Sequence, residues 1–534
     1  MDEANRNAVD CELPEMRLGE LVEMLREAGM SARVEGDESL EVRTASIDSR
    51  SVLPGGLFIC KGVSFKPSFL RFAIDRGAAA YMCQGEGAGL AVPHDLAECG
   101  DGISCLVVDD VRKAMAIVSA GLFDHPDNAL TVTGITGTKG KSTVAYMLRS
   151  ILLADGIEPS ILGSIMTDDG IVSYESHNTT PEAPDLWRHL RNTVESGRRH
   201  MVMEVSSHAL KYDRVLGLHF DIGCFLNIGR DHISSVEHAD FEDYFSSKLR
   251  LFEQCDVAVV NLRTDHVGRV LEAAGAAKRL VTFRVDDSNA GERREANGAV
   301  AEAPIADYAA GRVESTTRGL AFDVREPGVD GVEHIELGMP GLFNVDNALA
   351  AIAMARLLGV GYDAIRKGLA ELRVPGRMEL VPSPDGHVLA IVDYAHNELS
   401  YQALFSSVKE EYPDRRIVAL FGAPGGKAYE RREALPRVAG AYADHIVYTE
   451  EDPAHDRVED ICAELVSHTP AGVSCEVILD REDAVRRVLE SALGDERPSV
   501  VLLLAKGDET RQHRGDEYPE VKSDLAIARE TLRA

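Results

Sequence analysis

The sequence predicts an α/β protein built in three parts, with a doubly wound phosphate-binding unit at its centre. Three observations carry this. A β-branched run, residues 130–136, leads through Gly137 and Gly140 into an apolar stretch of helical spacing at 144–153, so strand, glycine turn and helix start fall in order. Near-continuous apolar runs at 200–205, 220–228 and 256–262 alternate with helical stretches, as expected of parallel strands covered on both faces. Breaks at His125-Pro126-Asp127-Asn128 and Val374-Pro375-Gly376-Arg377 divide the 534 residues into 1–127, 128–375 and 376–534.

In the first part, residues 18–28 read as an amphipathic helix, and Pro54-Gly55-Gly56 marks a turn between two apolar strand runs. Just before it, Asp48, Ser49 and Arg50 suit either a polar ligand or a capped loop. The second part opens on Thr136-Gly137-Thr138-Lys139-Gly140-Lys141-Ser142-Thr143. Glycines let backbone N–H groups approach phosphate oxygens, and a helix N-terminus adds partial positive charge. Lys141 would add a full charge at the β/γ-phosphates and the Ser142 hydroxyl would reach Mg²⁺. The loop is a short form, since Ile135 stands where the usual spacing has glycine. The 200–205 strand ends in Glu204-Val205-Ser206-Ser207-His208, and the 220–228 strand in Asn227-Ile228-Gly229-Arg230-Asp231-His232. Ligands of open α/β sheets bind at such carboxyl ends, and a carboxylate there suits Mg²⁺. Residues 286–303, polar and aperiodic, read as a surface loop without chemistry. In the third part, strands are expected at 388–393, 416–422, 445–449 and 499–505, with a helix at 457–467 between them.

Composition bounds the function. A net charge of −31 argues against a nucleic-acid binder, so anionic ligands would need local basic pockets. Lys248, Asn347, Arg377, Asp393, Lys427 and Arg431 lie at strand and domain edges, where such pockets form. Nine cysteines without a C-x-x-C pair fit reduced thiols in a cytoplasm. The acidic start and the lack of any long apolar run predict neither a signal peptide nor a membrane span.

These residues resemble the Mur ligases, the ATP-dependent amino-acid-adding enzymes of peptidoglycan precursor synthesis. They most resemble the members that extend UDP-N-acetylmuramoyl-L-alanyl-D-glutamate (UDP-MurNAc-L-Ala-D-Glu) by a third residue. The carriers are D-S-R at 48–50, G-T-K-G-K-S-T at 137–143, N-T-T-P at 178–181 and M-E-V-S-S-H-A-L at 203–210. Further on come D-H at 231–232, G-L-F-N-V-D-N at 341–347, P-G-R-M-E at 375–379, D-Y-A-H at 393–396 and K-G-D-E at 506–509. The resemblance implies a uridine-nucleotide domain (1–127), an ATPase domain (128–375) and a Rossmann-like amino-acid-binding domain (376–534). It implies a cytoplasmic monomer with Mg²⁺ as cofactor and ATP, the UDP-sugar dipeptide and a diamino acid as substrates.

By position, the resemblance makes Lys141, Lys248, His232 and Glu204 catalytic. Thr136, Gly137, Thr138, Lys139, Gly140, Lys141, Ser142, Thr143, Asn347, Arg377, Asp393 and Arg431 would bind ATP. Ser142, Glu204, His232 and Lys248, the last as a carbamate, would hold the metal. Ser49, Asn178, Thr179, Thr180, Ser206 and Arg214 would contact the UDP-sugar, and Lys427, Asp452, Ala454 and Glu509 the amino acid. Diaminopimelate-adding members carry D-N-P-R, whose arginine grips the second carboxylate bidentately. Here Glu451-Asp452-Pro453-Ala454 stands instead. Losing that partner costs on the order of 1.5–3 kcal/mol, while Asp452 offers charge to an ammonium. L-lysine is therefore expected, with ornithine or diaminopimelate as alternatives. A folylpolyglutamate synthetase-like ligase and a non-catalytic P-loop module are the other readings. The first part with residues 48–62, together with N-T-T-P, argues against the first, and the joint presence of Lys141, Glu204, His232 and Lys248 against the second.

Overall fold

A computed structural model describes residues 14–62, 65–87, 90–100, 102–176, 178–231, 233, 237–286, 305–316 and 318–533. His232 and nearly all of the expected 286–303 loop lie outside these residues. The chain forms two compact units, one of residues up to Ala145 with Gly156–Thr282, the other of Tyr146–Asp155 with Phe283 onwards.

Among its described residues the first unit contains a two-stranded pair, Met16–Arg17 with Glu41–Val42, and two larger sheets. One has five strands in the spatial order Ala32–Glu35, Ser104–Val108, Ala80–Gln84, Leu57–Ile59 and Ala45–Ser46, parallel except for the antiparallel first. The helix Leu18–Glu27 packs on it with Leu18, Leu21, Val22 and Leu25 buried, as its apolar spacing requires. The expected pair of strands around Pro54-Gly55-Gly56 is corrected: Val52 and Leu53 are not in a strand, and Leu57–Ile59 pairs with Ala45–Ser46 instead. The cause is the turn between them, where Ser51 N donates to Asp48 O and Arg50 N to Asp48 Oδ1.

The other sheet runs Ser173–Glu175, Met166–Asp168, Ser160–Leu162, His200–Glu204, Thr131–Thr136, Phe220–Phe225 and Cys255–Asn261. Its last five strands are parallel, with Thr131–Thr136 in the middle. That strand leads into the helix Lys141–Ala154, so the glycine loop sits at the carboxyl edge of a central strand, where both neighbours also end. Phe220–Phe225 stops short of the expected 228 because the next residues bond elsewhere, as described below.

In the second unit, Arg279–Val285 pairs through residues 283–285 with Tyr308–Thr316, which continues into antiparallel Gly319–Arg325 and Glu333–Leu337. A further sheet has the order Glu379–Pro382, Val388–Asp393, Ser499–Leu504, Arg416–Phe421, His445–Tyr448 and Ser474–Val477. All its pairings are parallel except that of the first strand. Ser499–Leu504 is wholly buried and lies between two strands far from it in sequence, the crossover order of a Rossmann-like unit. Among the described residues all eight cysteines are free, and no helix is long and apolar enough to cross a membrane.

Candidate active site

The phosphate loop is shaped by two glycines, Gly137 at φ +156° and Gly140 at φ +88°, conformations that side chains beyond glycine rarely adopt. Asn227 clamps it from the neighbouring strand end. Asn227 O accepts from Thr138 N, its Oδ1 accepts from Lys139 N at 2.9 Å, and its Nδ2 donates to Lys139 O at 3.0 Å. Gly229 N donates to Thr138 Oγ1. Leu226 N still donates to Thr136 O, after which these bonds turn Asn227 and Gly229 towards the loop and fix its shape. The sequence reading assigned Asn227 no role; only the pairing of the two strand ends reveals it.

Lys141 Nζ and Lys248 Nζ each donate to the Gly137 carbonyl at 2.9 Å. Lys139 Nζ pairs with Asp231 Oδ2 at 3.1 Å. Lys248 is 2 % exposed, with its ammonium 4.7 Å from the Tyr244 ring centre. Tyr244 OH in turn donates to Thr138 Oγ1. Burial first, and the Lys141 charge second, hold the Lys248 amine well below the usual lysine range. A neutral amine is the form that adds carbon dioxide to give a carbamate, so the chemistry expected of this lysine is open to it.

Hard oxygens gather beside the loop. Ser142 Oγ lies 2.9 Å from Ser164 Oγ, and buried Glu204 accepts through Oε1 from Ser164 N at 2.8 Å and Ser164 Oγ at 3.2 Å. Among the described residues no three His, Cys, Asp or Glu side chains cluster as a ready metal cage. A carboxylate and a hydroxyl beside a phosphate loop nevertheless fit Mg²⁺, which keeps several waters and is completed by substrate phosphates. Ser164 was missed in the sequence because nothing in its local pattern announces it; the turn between Ser160–Leu162 and Met166–Asp168 puts it there.

The expected UDP-sugar residues adjoin the same strand end. Thr180 Oγ1 donates to Glu204 O at 2.9 Å and accepts from Ser206 N at 3.0 Å, and Ser206 Oγ caps the helix Ser207–Lys211. Arg214 donates to Thr180 O at 2.9 Å and pairs with Glu182 at 2.9 Å, while its buried Nε has no partner among the described residues. Asn178 is exposed and Thr179 half-buried on the approach to this corner. Ser49 is buried in the turn after Ala45–Ser46, a strand that packs against the helix Ala183–Glu195.

The other expected residues belong to the second unit. Asn347 Nδ2 donates to Asn344 Oδ1 at 2.9 Å, and the preceding loop is anchored by Gly341 N donating to Glu411. The Arg377 guanidinium lies 4.7 Å from the Tyr394 ring centre. Asp393 ties the same turn, accepting from Met378 N and Ala395 N, and burial pushes its carboxyl up.

Arg431 begins the helix Arg431–Ala439, its buried Nε without a partner among the described residues. Lys427 is exposed nearby in the chain. Lys506 Nζ lies 2.9 Å from Asp452 Oδ1 and 2.5 Å from Glu509 Oε2, so one internal ammonium bridges two expected amino-acid ligands. Ala454 adopts φ +48° and exchanges backbone bonds with His513 and Gly515. Glu451, also missed, is buried, and its Oε2 has no partner among the described residues. Burial pushes its carboxyl up to about 7 against the opposing charges of Arg431 and Arg481. Its neighbour Asp452 drew the attention in the sequence, where burial is invisible.

Comparison with known proteins follows the same lines. Residues 135–355 match the Mur ligase middle domain and residues 376–507 the Mur ligase glutamate ligase domain. The chain is 36 % identical over 495 residues to the UDP-N-acetylmuramoyl-L-alanyl-D-glutamate–L-lysine ligase of Enterococcus faecalis, covering 91 % of each. It is 36 % identical over 521 residues to the UDP-N-acetylmuramyl-tripeptide synthetase of Lactobacillus delbrueckii subsp. bulgaricus, covering 94 % of this chain and 96 % of that one. Its fold matches a solved UDP-N-acetylmuramoyl-L-alanyl-D-glutamate–2,6-diaminopimelate ligase at a TM-score of 0.63, with 22 % identity and 97 % and 99 % of the two chains covered.

Proposed function

The chain belongs to the Mur ligase family, and on that premise we propose that it joins L-lysine to UDP-MurNAc-L-Ala-D-Glu at the expense of ATP, in peptidoglycan precursor synthesis. The observation that carries the choice of amino acid is the stretch Glu451-Asp452-Pro453-Ala454. It offers a buried carboxylate oxygen without a partner and, at Ala454, no cation for a second substrate carboxylate. The named activity of the Enterococcus faecalis relative supports the same choice.

In this reading the three-part division at 127 and 375 separates the three substrates. The γ-phosphoryl group of ATP passes to an oxygen of the D-glutamyl carboxylate and ADP leaves. The lysine α-amine then attacks the acyl carbon, phosphate departs with the bonding pair, and the amine loses its proton. The glycine loop, 136–143, receives the phosphates with its N–H groups, and Lys141 and Lys139 oppose their charge. Asn347, Arg377, Asp393 and Arg431 serve the rest of the nucleotide. Ser49, Asn178, Thr179, Thr180, Ser206 and Arg214 hold the UDP-sugar peptide. Lys427 takes the α-carboxylate of the amino acid, while Asp452, Glu509 and Glu451 form the acidic wall for its side-chain ammonium. Ser142, Glu204, His232 and carbamylated Lys248 are the residues that would hold Mg²⁺, which supplies the positive charge needed where carboxylate and γ-phosphate meet. Fixing amine and acyl phosphate together makes the attack effectively unimolecular.

Release of ADP in the presence of UDP-MurNAc-L-Ala-D-Glu tests this, with L-lysine, L-ornithine and meso-diaminopimelate supplied in parallel. L-lysine should give the highest kcat/KM. A preference for diaminopimelate would overturn the lysine assignment, and no release with any of the three would overturn the ligase assignment.

A further inference from the structure

Glu182 lies at the N-terminal boundary of the helix Ala183–Glu195, with its side chain 16 % exposed. Two cations meet it from different parts of the first unit. Lys61, just past the carboxyl end of Leu57–Ile59, pairs with Oε2 at 2.5 Å, and its side chain is only 10 % exposed. Arg214 pairs with Oε1 at 2.9 Å. Arg112, stacked 4.3 Å from the Tyr212 ring centre, adds a further positive charge felt by Lys61. One carboxylate thus pairs with two cations, with a third charge acting on Lys61, in a chain of net charge −31, a local surplus that stands against the composition. A lysine does not give up most of its hydration for one partially buried partner without cost. Nor is a buried guanidinium nitrogen normally left idle, as Nε of the half-buried Arg214 is among the described residues. Both features are accounted for if an anion completes the cluster.

We infer that Lys61 is an anion-binding residue of the nucleotide-sugar site, held in position with Arg214 by Glu182, and that it takes an oxyanion of the substrate. The inference rests on the proposed function and adds a residue to it. Two groups of that substrate have the required chemistry: the diphosphate and the D-glutamyl carboxylates. Lys61 stands beyond a strand's carboxyl end, within reach of the loop 178–182 through Glu182, so its partner belongs to the same ligand as that of Arg214.

The test is calorimetric binding of UDP-MurNAc, UDP-MurNAc-L-Ala and UDP-MurNAc-L-Ala-D-Glu to the full chain, wild type and Lys61→Met, with Lys61→Arg as the charge-retaining control. Lys61→Met should weaken binding about ten-fold or more, the loss expected of a charge-assisted bond, and Lys61→Arg should recover most of it. An equal loss for all three ligands identifies the diphosphate, and a loss confined to the last identifies the carboxylates; either upholds the inference. Lys61→Gln replaces Lys61→Met if the latter does not fold. A folded, charge-removing variant with wild-type affinity for all three overturns the role of Lys61 alone. Wild-type protein that binds none of them overturns the functional reading and this inference with it.

Discussion

At the scale of single residues, function turns on where a charge is allowed to be. Glu451 is the sharpest case. With its carboxyl raised to about 7 by burial, it is largely neutral below that pH and ionised above it. Only the ionised form attracts the ammonium of a diamino acid. The KM for L-lysine should therefore fall as pH rises from 6 to 8, and Glu451→Gln should flatten that dependence. At pH 8 the variant should raise KM by about ten-fold or more, as loss of a charge-assisted bond implies. A variant that keeps the wild-type slope would remove Glu451 from the amino-acid site. The grouping of Lys141 and Ser142 was readable from strand, glycine, lysine and helix in fixed order, and that of Glu204 from its place at the end of the 200–205 strand. Glu451, Asn227 and Ser164 were not, since what marks them is burial or a neighbour far along the chain. Lys506 shows the same limit: its charge is plain in sequence, its two carboxylate partners are not.

At the scale of elements, the site depends on how closely strand ends approach. A Cβ built on Gly163 would stand 2.4 Å from Glu204 Oε1. Gly163→Ala must displace that carboxylate and with it the bonds to Ser164. ADP release should fall about 10- to 100-fold, as when supporting groups of a metal site are disturbed, and more Mg²⁺ should be needed for half-maximal rate. Unchanged kinetics in the folded variant would show that Glu204 tolerates displacement. Four strands of the central sheet were anticipated from near-continuous apolar runs, whereas the short Ser160–Leu162, Met166–Asp168 and Ser173–Glu175 were not. The pairing around Pro54-Gly55-Gly56 was not, because side-chain bonds from Asp48 decide where the backbone turns.

For the molecule as a whole, the C-terminal sheet is tied together by one buried ion pair. Arg481 Nε and Nη2 donate to the Asp524 carboxylate at 2.9 and 2.6 Å, and the same guanidinium reaches Glu450 O and Leu504 O. This joins the helix Arg481–Leu493, two strand ends and the last helix, Asp524–Arg533. Asp524→Ala strands a buried guanidinium and should cost about 3–5 kcal/mol. Thermal unfolding followed by circular dichroism should show a component shifted down by roughly 5 °C or more. An unshifted profile would mean that the arginine finds water instead. Alternation of strands and helices made the α/β class legible at this scale. Strand order was hidden, because crossovers such as the insertion of Ser499–Leu504 between Val388–Asp393 and Arg416–Phe421 depend on contacts between distant segments.

Two amino groups, the Lys141 ammonium and the Lys248 amine, meet the single carbonyl oxygen of Gly137. The positive field of Lys141 and Lys139 lies within a chain of net charge −31, whose long-range effect on a polyanion is repulsive. ATP therefore feels attraction only inside roughly one screening length, about 8 Å at physiological ionic strength. Encounter is expected to be slow for so charged a ligand, with retention after arrival setting occupancy. Added salt weakens the outer repulsion before it reaches the sheltered cations, so moderate ionic strength assists capture in a site built to hold anions.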